Sequence, residues 1–311
     1  MGSYIDRNSF LLFYMNATQY LIAFFYIFVY NLINLEDFFM CLSNDYMIEQ
    51  KVGNVEILKF RRLDGFENII HAFSLKPLKF RNKDGMIDNY KLLFDAMNTP
   101  FESLVKTMQM HTDNILVFKD KKNIDFADIN LDYLKDVDAI ITNKSGITLA
   151  TTCADCLCMI LYDDKKDVIG NVHSGWRGTF KKISQKTVLK MIEEYGCDPA
   201  DIMVFMAPSI RKCCFEVDVD VMEMCKESFA YLGMNDDIIT LGKVIDGKQK
   251  YYIDSILINK LILKEVGILE DNIIDSQICS CCNSEKIHSR RADGEEYELG
   301  TLIVGMKQME D

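Results

Sequence analysis

The segment AIITNKSGITLATTCADCLCMILYDDKKDVIGNVHSGWRG, residues 139–178, is the most informative part of this chain. It holds four short apolar runs, at 139–142, 147–152, 157–162 and 168–173. Short apolar runs bounded by polar turns predict buried β-strands. The charged turn Asp163-Asp-Lys-Lys166 separates the last two runs, which are therefore predicted to form a β-hairpin.

Helices are predicted downstream of this segment. Apolar residues at helical spacing cover 179–195, and Gly196 follows at the position where helices stop. Asp254 is placed to cap a second helix that runs to Val266. Strands and helices are mixed without a regular βαβ alternation, and no glycine-rich phosphate loop of the dinucleotide or Walker type is present. This pattern predicts an α+β fold, a layered mixed β-sheet with flanking helices.

Composition narrows the possible partners and the compartment. The 311 residues are 49% hydrophobic, enough to bury the core of one large domain. The formal net charge of −12, without a long Lys/Arg run, disfavours a nucleic-acid partner, although a few arginines in a pocket can still bind a small anion. Eleven cysteines, with adjacent pairs at Cys213–Cys214 and Cys281–Cys282, favour reduced thiols in the cytoplasm over a disulfide framework.

The N-terminal region is difficult to interpret. Residues 8–35 carry no charge and are long enough to span a membrane, but a signal-peptide cleavage site is lacking and the flanking charges are weak. The alternatives are a misplaced start, with translation beginning at Met40 or Met47, a membrane anchor, or a packed helix. We expect an uncertain leader over 1–46 and a single catalytic domain over 47–311, with no membrane association of that domain.

Histidine is scarce, so each one is informative; the four are His71, His111, His173 and His288. His173 lies where a strand end runs into a glycine-bracketed turn. Cys156 lies across the predicted hairpin, so the two side chains can meet at one metal ion. His71 can supply a third ligand from a remote strand end. Three protein ligands leave one position open, which is the pattern of a catalytic zinc site.

The residues alone leave other interpretations open. A lone histidine such as His71 is usually structural. Cys153 and Cys156 form a C-x-x-C that can be half of a structural zinc site, completed by Cys279, Cys281 or Cys282. Cys156 and His173 can also be a thiol nucleophile and its base, as in an amidase or thiol hydrolase. A multicopper centre is disfavoured because it needs more than four histidines.

Two motifs, Ala154-Asp-Cys156 and His173-Ser-Gly-Trp-Arg-Gly178, resemble the YfiH-type family, known as laccase-domain or polyphenol oxidase proteins and now regarded as purine nucleoside phosphorylases. Further motifs follow the family order from about residue 50 onward: His71-Ala-Phe-Ser74, Gln109-Met-His111, Asp138-Ala-Ile-Ile-Thr142, Ala207-Pro-Ser-Ile210, Cys214-Phe-Glu-Val217 and Ser289-Arg-Arg-Ala-Asp293. The resemblance implies a fold like that of YfiH and the toxin deamidases. Residues 76–85 depart from the family pattern, and 1–46 match none of it.

The resemblance implies zinc-dependent phosphorolysis of adenosine, inosine, guanosine and 5′-methylthioadenosine to the base and ribose-1-phosphate, together with adenosine deaminase activity. Carried over motif by motif, the zinc ligands are His71, Cys156 and His173. The partners are then purine nucleosides and phosphate, in the cytoplasm. Substrate preference and oligomeric state are not determined.

The remaining site residues are candidates with stated alternatives. Asp155, beside a ligand, is the candidate for moving protons, unless it orients a ligand or a turn. Arg177 is the candidate phosphate contact, since it lies near a predicted helix N-terminus. The alternative for Arg177 is a solvated or structural arginine. Ser74 and His111 are further candidates for the substrate pocket, and the alternative for His111 is a buried structural histidine. Arg62, Arg290 and Arg291 are weaker candidates. The rival functions are a metal-free cysteine hydrolase that uses Cys156 and His173, and a non-catalytic zinc-binding module.

Overall fold

The structure, a computed structural model, describes residues 41–119, 135–232 and 236–308, and its chain divides into two units, Met1–Leu42 and Ser43–Asp311. The apolar segment 8–35 lies outside the described residues, so the expectation of a separate leader stays a prediction. Among the residues that the structure describes, no helix has both the length and the apolar character that crossing a membrane requires.

Strands outnumber helices in the described part of the second unit. The strands are β1 (Met47–Val52), β2 (Val55–Phe60), β3 (Ile69–Ser74), β4 (Leu104–Lys106), β5 (Ile115–Val117), β6 (Ala139–Thr142), β7 (Ile147–Cys153), β8 (Leu157–Asp163), β9 (Val168–Ser174), β10 (Met203–Met206), β11 (Glu216–Val217), β12 (Ile239–Ile245), β13 (Lys248–Ile253), β14 (Ile273–Asp275) and β15 (Gly300–Met306). The helices are α1 (Lys83–Ala96), α2 (Trp176–Phe180), α3 (Ile183–Tyr195), α4 (Val219–Phe229), α5 (Ser255–Glu265) and α6 (Arg290–Asp293).

The strands form three sheets. The first has the order β1-β2-β3-β15-β7-β4, the second β14-β10-β8-β9-β6-β5, and the third is the small sheet β11-β13-β12. Both large sheets are mixed, since β4 pairs with β7 and β5 pairs with β6 in parallel among antiparallel neighbours. The α+β class with layered mixed sheets and flanking helices is therefore confirmed.

Side-chain alternation sorts each large sheet into two faces. One face of the first sheet packs on α1, where Ala72 and Ile303 join a cluster with Tyr90 and Phe94. One face of the second sheet packs on α3 and α5 through a cluster that includes Met159, Val172, Val188 and Leu263. The opposite faces of β7 and β15 meet β8 and β9, so the two sheets are stacked. A third cluster joins the small sheet to α4 and α5.

Asn171 on β9 joins the two stacked sheets. It is fully buried, and its amide nitrogen donates to the carbonyl oxygens of Leu149 (3.1 Å) and Leu302 (2.9 Å) in β7 and β15. Thr151 Oγ1 donates to its Oδ1 at 2.7 Å. This network fixes how β9, which carries His173 two residues later, lies against the first sheet.

The local predictions have mixed outcomes. The hairpin is confirmed, with Cys158 opposite His173 in the β8–β9 pair. Asp254 caps α5, because its Oδ1 accepts a hydrogen bond from the Leu257 N–H at 2.8 Å. The single helix over 179–195 is wrong: α2 and α3 are separate helices, because Lys182 between them takes a left-handed φ of 62°. The first of these helices, α2, begins directly after Gly175 in the turn that follows His173.

Replacing the residue that joins the sheets tests this packing. Asn171→Ala should lower the free energy of unfolding by about 1–3 kcal/mol, because the Thr151 hydroxyl loses its acceptor in a dry interface. Urea unfolding followed by circular dichroism measures the change. Asn143→Ala, at an exposed position, is the matched control and should stay within about 0.5 kcal/mol of the parent. Equal midpoints for the two variants would contradict this role of Asn171.

Candidate active site

Three side chains converge at one end of the stacked sheets. Cys156 comes from the tight turn between β7 and β8. His173 comes from the end of strand β9, two residues before Gly175. His111 comes from the loop between β4 and β5, where its backbone takes a left-handed φ of 59°. One ligating atom from each of His111, Cys156 and His173 lies within 4.8 Å of the others.

The packing inside this group is close. Cys156 Sγ lies 3.7 Å from His111 Nε2, and the rings of His111 and His173 meet edge to face with centroids 5.0 Å apart. A Cβ on Gly175 would lie 2.7 Å from His111 Cδ2 and 3.1 Å from Cys156 Sγ. A side chain at position 175 would therefore push the group apart, which explains the glycine in the turn after His173.

Asp138, at the start of β6, orients two of the three members. Its Oδ1 lies 2.7 Å from His173 Nδ1, which leaves the other ring nitrogen of His173 free to face Cys156. The backbone N–H groups of Met110 (3.2 Å), His111 (3.0 Å) and Thr112 (2.8 Å) all donate to the same carboxylate. Asp138 is fully buried, and these donors together compensate its charge.

The charges in the group support one another. Burial alone would raise the pKa of the Cys156 thiol, but the positive charge of His173 and a hydrogen bond with His111 lower it to about 6. Burial likewise opposes protonation of His173, and the Cys156 and Asp138 charges overcome it and hold the His173 pKa well above its ordinary value. Despite its burial, Asp138 has a pKa lowered to about 2, because His173 and Thr112 bind its charged form. The group thus presents a thiolate at neutral pH.

The structure does not bring His71 to this group. His71 lies opposite Val304 on β15, whereas Cys153, at the Cys156 end of β7, lies opposite Gly300. Four residues of strand separate these positions, a distance of about 13 Å. His71 is buried, its Nε2 accepts a hydrogen bond from the Phe60 N–H at 2.8 Å, and burial lowers its pKa to about 3. His71 is here a neutral core histidine, and it is His111 that lies with Cys156 and His173.

Asp155, beside Cys156, has both carboxylate oxygens engaged. Ser280 Oγ (2.6 Å) and Ser289 Oγ (2.7 Å) donate to its Oδ1, and the Arg291 N–H donates to its Oδ2 at 2.7 Å. Its backbone takes a left-handed φ of 82° in the turn. These contacts favour the alternative in which Asp155 orients a turn, since three of the roughly four acceptor positions of its carboxylate are occupied.

Two adjoining clefts open on the group. One is lined by His111, Asp155, Cys156, Trp176, Arg177, Ile210, Phe215, Arg290 and Arg291. The other shares His111, Cys156 and Arg290 with it and adds Arg81, Lys106, Gln109, His173 and Tyr297. Cationic side chains line both clefts although the chain as a whole carries a charge of −12. Burial lowers the pKa of Lys106 to about 8.

The other candidates divide between the clefts and the rest of the fold. Arg177 lines a cleft and lies over the Trp176 ring, 4.1 Å from its centroid. Arg291 also lines it, with its guanidinium donating to the carbonyl oxygens of Cys214 (2.6 Å) and Glu216 (2.8 Å). Arg62 lies elsewhere and donates to the Asp271 carbonyl oxygen at 2.6 Å. Ser74 is buried and accepts a hydrogen bond from the Thr301 N–H at 2.9 Å, outside the residues that line either cleft.

Sequence reasoning missed several residues of this site. Asp138 was part of a matched motif, but its role as the common acceptor was not predicted; a carboxylate directly before a short apolar strand was the available signal. Gln109 was missed in the same way. It binds the backbone of Thr152 with both ends of its amide, at 2.7 and 3.0 Å, and so ties the His111 loop to β7. Lys106 and Arg81 gave no signal.

The chain belongs to the family described as multi-copper polyphenol oxidoreductase laccase, which matches over residues 74–306. The purine nucleoside phosphorylase YlmD of Bacillus subtilis (strain 168) is 29% identical over 252 residues, which cover 78% of this chain and 88% of that protein. The adenosine deaminase RL5 of an unknown prokaryotic organism is 31% identical over 209 residues, 67% of this chain and 77% of its own length. These are similarities of the chain to named proteins.

The fold has solved counterparts. The crystal structure of the hypothetical protein YfiH of Bacillus licheniformis superposes with a TM-score of 0.73 and covers 85% of this chain and all of its own. Its sequence identity to this chain is 23%, so the comparison shows a shared fold.

The lowered pKa of Cys156 gives a pH prediction. In protein stripped of metal by a chelator, iodoacetamide should alkylate Cys156 with a midpoint near pH 6, below the value of about 8.5 for a free thiol. The reaction should be fast at pH 7 and slow below pH 5, because only the thiolate reacts. Mass spectrometry of peptides measures the rate against pH.

Two controls accompany the alkylation experiment. Cys153 should stay unreactive at neutral pH, because a hydrogen bond with Cys158 and burial raise its pKa. Asp138→Asn should move the Cys156 midpoint upward, since it weakens the positive charge on His173. A Cys156 midpoint above pH 8 in the parent protein would contradict the ion pair.

Proposed function

We propose that this chain is a zinc-dependent purine nucleoside phosphorylase of the cytoplasm that also deaminates adenosine. The observation that carries the proposal is the His111–Cys156–His173 group at the floor of clefts lined with arginine and lysine. The two relatives described above, a purine nucleoside phosphorylase and an adenosine deaminase, support the same class of substrate.

The donor set fits a zinc ion. Two imidazole nitrogens and one thiolate are ligands that zinc takes in proteins, and three protein ligands leave a fourth position open for chemistry. The Asp138 carboxylate on the far nitrogen of His173 is the arrangement that orients metal-bound histidines. The proposed ligands are therefore His111, Cys156 and His173, with His111 in place of His71. Zinc bound there would supply a Lewis acid next to the substrate.

The cationic residues are proposed to bind phosphate. Phosphate is a dianion near neutral pH, and guanidinium groups bind its oxygens with charge-assisted hydrogen bonds. Arg177 is the most available of them, since it is exposed and its partner is the Trp176 ring. Lys106 lines the adjoining cleft, together with His111, Cys156 and His173.

The apolar lining is proposed to hold the nucleoside. Trp176, Ile210 and Phe215 line the same cleft as Arg177, and flat aromatic and apolar surfaces stack against purine rings. A nucleoside bound there would place its ribose between the base and the cationic groups. As the glycosidic bond breaks, a phosphate oxygen bonds to ribose C1′ and the bonding electrons leave with the purine, which then takes a proton from solvent. During this step the ribose gains positive charge and the purine gains negative charge. Bound phosphate compensates the positive charge on the ribose, and a cation beside the base compensates the negative charge on the purine.

Asp155 is proposed to position this site. Its three hydrogen bonds fix the turn that carries Cys156 and the backbone of Arg291, which line the cleft together. Asp138 is proposed to hold His173 and the His111 loop for the metal. Neither carboxylate needs to exchange a proton during phosphorolysis in this scheme.

The cysteine hydrolase alternative is favoured by one observation, the low pKa of Cys156 beside His173. A thiolate–imidazolium pair is also the resting state of cysteine nucleophiles. The third member, His111, distinguishes the two interpretations, because a nucleophile and its base need only one imidazole. If the His111–Cys156–His173 group binds one zinc ion and Cys156→Ala loses that ion, the interpretation of Cys156 as a free nucleophile is contradicted.

Turnover of nucleosides tests the proposal. Zinc-loaded protein incubated with inosine and phosphate should release hypoxanthine and ribose-1-phosphate in equal amounts, and no base should form without phosphate. Adenosine without phosphate should give inosine and ammonia. Cys156→Ala should remove both activities. Liquid chromatography of the products measures them, and zinc-loaded, folded protein that forms none of these products would rule the proposal out.

Two arginines provide a matched pair for phosphate binding. Arg177→Gln should raise the KM for phosphate and lower kcat/KM by roughly 10- to 100-fold, the effect of losing a charge-assisted hydrogen bond. Arg62→Gln removes the same charge at a position whose guanidinium binds the Asp271 carbonyl, outside the clefts, and should leave the constants unchanged. Steady-state kinetics with varied phosphate measures both. A similar loss in both variants would indicate a general charge effect.

A further inference from the structure

Four cysteines outside the active-site group lie together near the surface, with Cys213 and Cys282 exposed and Cys279 buried. They are Cys213 and Cys214, from the turn before β11, and Cys279 and Cys282, from the turn after β14. Their sulfur atoms all lie within 4.8 Å of one another. The sequence supplies them as an adjacent pair and a C-x-x-C separated by more than sixty residues, so only the fold brings them together.

We propose that Cys213, Cys214, Cys279 and Cys282 form a second metal site, a structural zinc site with four thiolate ligands. This site is separate from the His111 group and does not depend on the proposed function. It would join the two cysteine-bearing turns across the surface beside the clefts.

The sulfur spacing fits a single ion. Zinc–sulfur bonds of about 2.3 Å in tetrahedral geometry place the ligand sulfurs about 3.8 Å apart. Here Cys213 Sγ lies 3.7 Å from both Cys214 Sγ and Cys282 Sγ, and Cys214 Sγ lies 3.4 Å from Cys282 Sγ. A disulfide needs about 2.05 Å, so these distances are those of co-ligands and not of bonded sulfurs.

The local backbone suits thiolate ligands. Both turns aim their cysteines at one point: Cys214 N–H donates to the Arg211 carbonyl at 2.8 Å, and Asn283 N–H donates to the Cys279 carbonyl at 3.2 Å. The Cys279 sulfur accepts hydrogen bonds from the backbone N–H groups of Cys282 and Arg211. Backbone donors of this kind stabilise a charged sulfur.

A cation would compensate the charges of four clustered thiolates. Several thiolates this close together repel one another. A divalent ion among them would reverse this effect, because it binds the ionised form of each. Four soft sulfur donors select zinc over magnesium or calcium.

The same turns hold the wall of the cleft. The carbonyl oxygen of Cys214 accepts a hydrogen bond from Arg291 at 2.6 Å, and Ser280, between the two ligands of the second turn, donates to Asp155 at 2.6 Å. An ion that joins these turns would therefore fix the positions of Arg291 and Asp155. The four-cysteine site thus has a structural task at the edge of the clefts.

Metal analysis of the full chain, purified with a reductant, tests the assignment. Elemental mass spectrometry should find two zinc ions per chain in the parent protein and one in Cys156→Ser. In that variant the zinc X-ray absorption spectrum should show four sulfur neighbours at about 2.3 Å and no nitrogen. The double variant Cys279→Ser/Cys282→Ser should lose the ion of the four-cysteine site and keep the ion of the His111 group. If the His111 group holds no metal, the parent keeps one zinc with the same all-sulfur shell, and the inference stands.

Cys281→Ser is the matched control, because it lies in the same turn but outside the four-cysteine group, and it should keep the metal content of the parent. If the double variant fails to fold, the X-ray absorption spectrum of Cys156→Ser alone decides. The inference is overturned by a nitrogen neighbour in that spectrum, by Cys156→Ser protein without zinc, by bound iron in place of zinc, or by a zinc loss that follows Cys281 instead of Cys279 and Cys282.

Discussion

The rest of the site depends on the hydrogen bonds that the buried carboxylate of Asp138 accepts. A charged group in a dry interior is tolerated only when donors surround it, and here three successive backbone N–H groups, the Thr112 hydroxyl and the His173 ring do so. The need for these donors forces the chain after β4 to curl around the carboxylate. That curl is why His111 has a left-handed backbone and why its ring meets that of His173.

The location of the site follows from the stacking of the two large sheets. Asn171 fixes β9 against β7 and β15, and the turns at the ends of these strands then carry Cys156 and His173 to the same edge. The remaining side of the clefts comes from α6 and from the turn before β11, which bring Arg290, Arg291 and Phe215. Asp155 connects the two sides, since it lies next to Cys156 and binds the first turn of α6. Arginine and lysine side chains line the clefts although the chain as a whole carries a net charge of −12, so the cationic character is local to the clefts.

Much of the site could be predicted from the sequence because it lies within one short segment. Cys156 and His173 are joined by a hairpin, and a hairpin has a simple register in which facing ends can be paired by counting. His71 could not be placed by the same reasoning. Its position depends on which strand pairs with which, and β3 and β7 are both neighbours of β15, a strand more than 120 residues further along the chain. Because of that pairing, His71 lies four strand residues away from the end of β7 that leads to Cys156, in the apolar layer between the sheets.

The sequence by itself determined the α+β class, the β8–β9 hairpin, the capped helix after Asp254 and the Cys156–His173 pair, because each depends on local periodicity, turn chemistry or a short motif. The tertiary structure alone decided that His111 joins the pair, that Asp138 orients it, and that Cys213, Cys214, Cys279 and Cys282 meet at one point. These contacts join segments that are distant in sequence. Strand register and loop path bring them together, and neither is encoded in the spacing of the residues involved.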